Sequence, residues 1–93
     1  MFTIGIIGKL CRRNHDHEVI ADIEITSSPT RNEPGYFDAK ADLRDLFLLH
    51  HYLLKLENGS TFRITISKCS YTINPTTGDV ESTTCEFMVR GPE

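Results

Sequence analysis

Residues 36–49 read Tyr-Phe-Asp-Ala-Lys-Ala-Asp-Leu-Arg-Asp-Leu-Phe-Leu-Leu, and whether they coil or extend decides the fold. As a helix, Asp38 or Asp42 caps the start, and Ala39, Leu43, Leu46, Phe47 and Leu49 make an apolar stripe. As a strand, Phe37, Ala39, Ala41 and Leu43 alternate with Tyr36, Asp38, Lys40 and Asp42. The Ala, Leu, Arg and Lys content favours a short helix over residues 39–48. Before it lies a loop, residues 27–38. There two prolines, a glycine and several small polar side chains (Ser27 to Gly35) forbid a helix and disfavour a central strand.

On the N-terminal side, residues 1–26 read as a hairpin. Phe2, Ile4, Ile6, Gly8 and Leu10 form one alternating set; Val19, Ala21, Ile23 and Ile25 form the other. A turn at Arg13-Asn14 pairs Phe2 with Ile25, Ile4 with Ile23, Ile6 with Ala21 and Gly8 with Val19. That register puts both sets on one face.

On the C-terminal side, residues 50–90 read as a three-stranded meander. A two-residue Asn58-Gly59 turn would separate the two apolar sets. A three-residue loop, with Gly59 at positive φ, pairs Leu54 with Phe62 and Tyr52 with Ile64, so hydrophobic phase selects it. Asn74-Pro75-Thr76-Thr77-Gly78-Asp79 supplies the second turn, and pairing Ile73 with Val80 sets Tyr71 against Ser82, Ile66 against Phe87 and Ile64 against Val89. The apolar phase changes between Ile66 and Cys69, which calls for a bulge near residues 67–70. In this register Cys69 and Cys85 fall on opposite faces, arguing against a disulfide. The expected fold is α+β and mainly antiparallel: one domain over residues 1–93, a single curled five-stranded sheet (ββαβββ) closed by one short helix. A small five-stranded barrel is the alternative.

Composition narrows the function. Ninety-three residues exclude barrels and two-domain clefts that need about 200. A net charge of −3 gives no large positive field for a nucleic-acid backbone, so nucleic acid is not expected as the primary ligand. Met1 to Gly8 is too short to span a bilayer and lacks the marks of a signal peptide, so no membrane association and a cytoplasmic location are expected. Three cysteines in a reducing compartment then read as free thiols.

Cys11, His15 and His17 offer soft ligands near the first turn, but without a paired knuckle they are weak zinc candidates, and no metal or cofactor is expected. The same cluster with Asp16 has the residue types of a nucleophilic site but no pocket around it, so no catalytic residue is assigned and a Cys/His-dependent enzyme stays an alternative. His50 and His51 should point to opposite faces of a strand, one inward beside Tyr52 and Leu54. The carboxylate pairs Asp22/Glu24 and Asp79/Glu81 read as hydrated outer-face residues.

What remains is a small acidic protein-binding module. Eleven of the 25 residues from Ser60 to Thr84 are Ser or Thr, which makes the outer face of the meander cheap to desolvate, although threonine also simply favours strands. Expected contact points are Arg12 and Arg13 at the hairpin tip and the carboxylates of Asp38, Asp42, Asp45, Asp79, Glu81 and Glu86. Sheet edges offer a route to an edge-strand dimer. A regulator or inhibitor docking onto a larger complex has this profile, including one encoded by a phage against a host defence system. The other alternative is a nucleic-acid-associated domain using Arg12 and Arg13.

Overall fold

The computed structural model describes residues 6–13, 17–30 and 32–92. Among the described residues six strands run in chain order: β1 (Ile6–Arg12), β2 (Val19–Ser27), β3 (Gly35–Ala39), β4 (His51–Leu56), β5 (Thr61–Ile73) and β6 (Val80–Pro92). Every neighbour is antiparallel, and the order β1-β2-β3-β6-β5-β4 closes on itself as a barrel. Neither the five-stranded count nor the helix survives, because residues 35–39 extend and pair with both β2 and β6. The expected loop over 27–38 accordingly shrinks to 28–34.

Residues 36–43 follow the strand pattern. Phe37, Ala39 and Leu43 are buried and Ala41 partly so, while Tyr36, Asp38, Lys40 and Asp42 face solvent. Helix propensity amounts to a few tenths of a kcal/mol per residue. Burial of Phe37 in the barrel outweighs it, since truncating such a side chain to alanine costs about 3–5 kcal/mol. Its ring packs on Phe87 with centroids 5.7 Å apart. Past Ala39 the chain turns instead of coiling. The Asp42 carboxylate accepts the Arg44 amide at 3.0 Å. The buried Thr83 hydroxyl donates to the Ala41 carbonyl at 2.8 Å and accepts the Leu43 amide at 3.2 Å. Thr83 thus straps the 40–50 loop to β6.

The first hairpin keeps its expected face but not its register. Gly8 pairs with Ile23 and Leu10 with Ala21, while Ile6 pairs with Ile25, a slip of four residues. The slip is even, so the inward set is retained. Its cause is a longer connection, residues 13–18, closed by the Arg12 amide donating to the Glu18 carbonyl at 2.8 Å. Val19, expected inward, is half exposed. The pairings of Phe2 and Ile4 lie outside the described residues. Closure occurs where β1 meets β4: a Cβ on Gly8 would sit 2.7 Å from the Lys55 carbonyl oxygen, so a side chain there would push the two backbones apart.

The meander register agrees closely with expectation. Leu54 opposes Phe62 and Tyr52 opposes Ile64, with Gly59 at φ 94°. Ile73–Val80, Ile66–Phe87 and Ile64–Val89 also pair as expected. A shift between Ile66 and Lys68 is the anticipated bulge, and a second, between Thr72 and Ile73, compensates it. Between these two shifts the register moves by one, so Tyr71 opposes Thr83 instead of Ser82, and Cys69 directly opposes Cys85. β4 and β3 reach only Thr65 on β5 and Thr83 on β6. Residues beyond, up to the 74–79 turn, pair only with each other as a two-stranded arm.

Candidate interaction surface

Barrel closure brings three chain segments together at one end. Arg12, at the end of β1, pairs in register with Tyr52 near the start of β4. The 40–50 loop returns to that same strand start. Arg12, Arg13, Phe47, His50, His51 and Tyr52 line a shallow depression of about 170 Å³.

The loop apex, Phe47-Leu48-Leu49, is apolar yet exposed, at 63, 50 and 68 % of each residue's accessible surface. It is held in place: the Leu49 amide donates to the Ile66 carbonyl at 2.8 Å, and the Phe47 amide to the Tyr52 hydroxyl at 3.0 Å. Leu49 sits at φ 66°, the left-handed region. For a residue carrying a Cβ that conformation costs about 1–2 kcal/mol. The Phe47 ring lies against His50, centroids 5.2 Å apart. Neither histidine turns inward: both are exposed beside this depression, and Tyr52 and Leu54 take the inner positions.

The expected contact residues divide. Arg12 and Arg13 are exposed at this end, Arg12 with its Nε 3.5 Å from Glu18 Oε1. Asp42 and Asp45 lie on the outer side of the loop, where the Arg44 guanidinium clamps Asp42 and lowers its pKa. Asp38 and Glu86 are on neighbouring strands and already accept hydrogen bonds, from the Thr84 hydroxyl at 2.6 Å and the Ser67 hydroxyl at 3.3 Å. Asp79 and Glu81 sit at the tip of the arm. The carboxylates therefore do not converge on one surface.

Cys11 is buried, its Sγ 4.0 Å from the Lys9 carbonyl, and burial raises its pKa. His15 and Asp16 lie outside the described residues, and His17 is half-buried. Among the described residues no three His, Cys, Asp or Glu side chains gather as metal ligands. A hollow of about 420 Å³ is open and runs over the outer side of β1–β3 past Asp22, Glu24, Asp38 and Lys40. No helix among the described residues is long and apolar enough to cross a membrane. Comparison with known protein families, curated proteins and solved structures finds no match.

The apolar apex was absent from the expected contacts. One signal for it stood in the sequence: Leu46-Phe47-Leu48-Leu49 are four consecutive large apolar residues, more than one face of a strand or helix can bury.

Proposed function

We propose that this chain is a non-catalytic docking module, a regulator or inhibitor that engages a larger protein through the Phe47–Leu49 apex. The supporting observation is the exposure of three successive large apolar side chains on a backbone pinned in a left-handed conformation at Leu49. Strain of that kind persists only where surrounding structure enforces it, and such positions cluster at functional sites. Apolar anchors near arginines make a small hot spot, suited to a partner pocket that is apolar at its centre and lined by carboxylates at its rim. The overall negative charge of this chain disfavours a polyanion and favours a discrete acidic rim that Arg12 and Arg13 can reach.

The test places a photo-crosslinking residue at Leu48 or at Tyr71 in the native host, identifies the captured protein, and reconstitutes the pair from purified components. Capture from Leu48 alone is expected. The double substitution Phe47→Ser, Leu49→Ser should weaken the reconstituted complex at least roughly tenfold, about 1.4 kcal/mol. Thermal midpoint should not change, since both side chains are exposed. Equal binding by that variant, or capture from Tyr71 only, overturns the proposal. A salt-dependent mobility shift with single-stranded nucleic acid, diminished by Arg12→Ala and Arg13→Ala, would transfer the surface to the nucleic-acid reading.

A further inference from the structure

We propose that Cys69 and Cys85 are a thiol–disulfide exchange site that, oxidised by a low-molecular-weight disulfide, locks the β5–β6 arm where it leaves the barrel. The two sulfurs lie 3.0 Å apart, and the residues oppose each other directly across the β5–β6 ladder. Directly opposed residues of antiparallel strands have Cα atoms about 4.5–5.5 Å apart. That lies inside the window of about 4.4–6.8 Å that a disulfide spans. This arrangement depends on the pair of compensating shifts in the ladder, since the unshifted register would put the cysteines on opposite faces. The site is independent of the docking apex.

Access separates their roles. Cys69 is half-buried, while Cys85 is fully enclosed among Phe37, Phe87 and their neighbours. Burial first, then its contact with Cys69, raises the Cys85 thiol far above the usual thiol range. Cys69 is therefore the attacking group. It gives up its proton to solvent, and its sulfur attacks one sulfur of oxidised glutathione. The reagent's S–S bond breaks, and one glutathione leaves as thiolate and takes up a proton. Cys69 now carries a mixed disulfide. Cys85 then loses its proton, its sulfur attacks that of Cys69, and the second glutathione leaves and is protonated. In sum, two protein thiols become one disulfide and one glutathione disulfide becomes two thiols.

The barrel constrains the arm below this pair through β3 and β4. On the arm side of it β3 accompanies β6 for two more residues, to Thr83, and beyond that β5 and β6 have only each other. A covalent rung two residues inside the last β3–β6 pair, Ala39–Thr83, therefore fixes the arm's base and leaves Cys11, buried at the β1–β2 and β1–β4 ladders, untouched.

Reduced protein incubated in a glutathione redox buffer, quenched with acid, alkylated and mapped by mass spectrometry decides the matter. Expected is a product two hydrogens lighter, with Cys69 and Cys85 linked. It should exceed the glutathione adduct at least roughly tenfold, the advantage of an oriented intramolecular partner. Cys11→Ser should behave identically. Cys85→Ser should stop at a stable adduct on Cys69, and if that core variant fails to fold, Cys69→Ser should show Cys85 unreacted. A persistent Cys69 adduct in the unsubstituted protein, a link involving Cys11, or no loss of thiols overturns the proposal.

Discussion

The 40–50 loop and the β5–β6 arm both carry exposed apolar side chains, for opposite reasons. In the arm, Tyr71 and Ile73 are ladder residues, with Ile73 set across from Val80. Its turn is locally satisfied: Asn74 Oδ1 accepts the amides of Thr76 and Thr77 at 2.8 and 3.3 Å. The left-handed residue there is Gly78, at φ 77°. The loop is braced locally in its first half, where the Asp42 carboxylate accepts the Arg44 amide and the Leu43 carbonyl the Leu46 amide. At its apex the left-handed residue is a leucine, the hydrogen bonds come from Ile66 and Tyr52 of other elements, and three apolar side chains stay exposed although the Phe47 ring lies against His50. A conformation that local chemistry favours needs no further reason, whereas one that the barrel must impose points to use.

The sharpest way to break this contrast is Thr83→Val. It removes the hydroxyl that holds both Ala41 and Leu43, leaving a buried amide and carbonyl without their partner. We expect a loss of about 2 kcal/mol in urea unfolding, together with faster amide exchange confined to the loop. Unchanged stability would show that the loop does not depend on the strap.

Leu49→Gly tests the strain itself. Relief of the left-handed leucine returns about 1–2 kcal/mol, against about 0.5–1 for glycine's extra chain entropy. A rise in stability of about 0.5–1 kcal/mol, with weaker partner binding, is expected. A fall in stability would mean that Leu49 is there for packing. Asn74→Ala examines the arm, where losing the turn's acceptor should cost about 0.5–1 kcal/mol and leave partner binding unchanged.

The smallest effect concerns pH. Burial raises the folded-state pKa of Cys11 and Cys85. Both thiols therefore favour the folded state fully below their unfolded value, about 8.5, and that contribution is lost as pH rises beyond it. Unfolding of the reduced protein should thus become easier above that pH, and Cys85→Ala should flatten the slope. A slope that Cys85→Ala leaves intact would place the alkaline weakness elsewhere.

Legibility in the sequence followed turn chemistry. Where a short turn carries its own signature, as at Asn58-Gly59 and Asn74–Asp79, the pairs next to it were readable, although past Ile73–Val80 the shifted stretch put Tyr71 opposite Thr83 instead of Ser82. Where the connection is a polar run with no signature, as between Arg13 and Glu18, the face was readable but the register was off by four. Arg12 and Arg13 were recognisable as exposed cations, but their placement beside Phe47 and His50 requires β1 and β4 to meet, and no local pattern encodes that closure.

Alternation of side chains gave the main inward set of five strands, among them Leu10, Ile23, Leu54, Ile64 and Phe87, because the strand period of two assigns a face without reference to any partner. Val19, however, is half exposed, and Cys11 and Leu53 are buried out of phase. Tertiary structure decided the rest. Residues 35–39 became a sixth strand because two neighbours offered hydrogen bonds and a core place for Phe37. The cysteine pair met because small register shifts, whose cost is set by the whole ladder, carried Cys69 to the same face as Cys85. The leucine at φ 66° is held where local energetics disfavour it, because anchors far apart in the chain hold the loop on both sides.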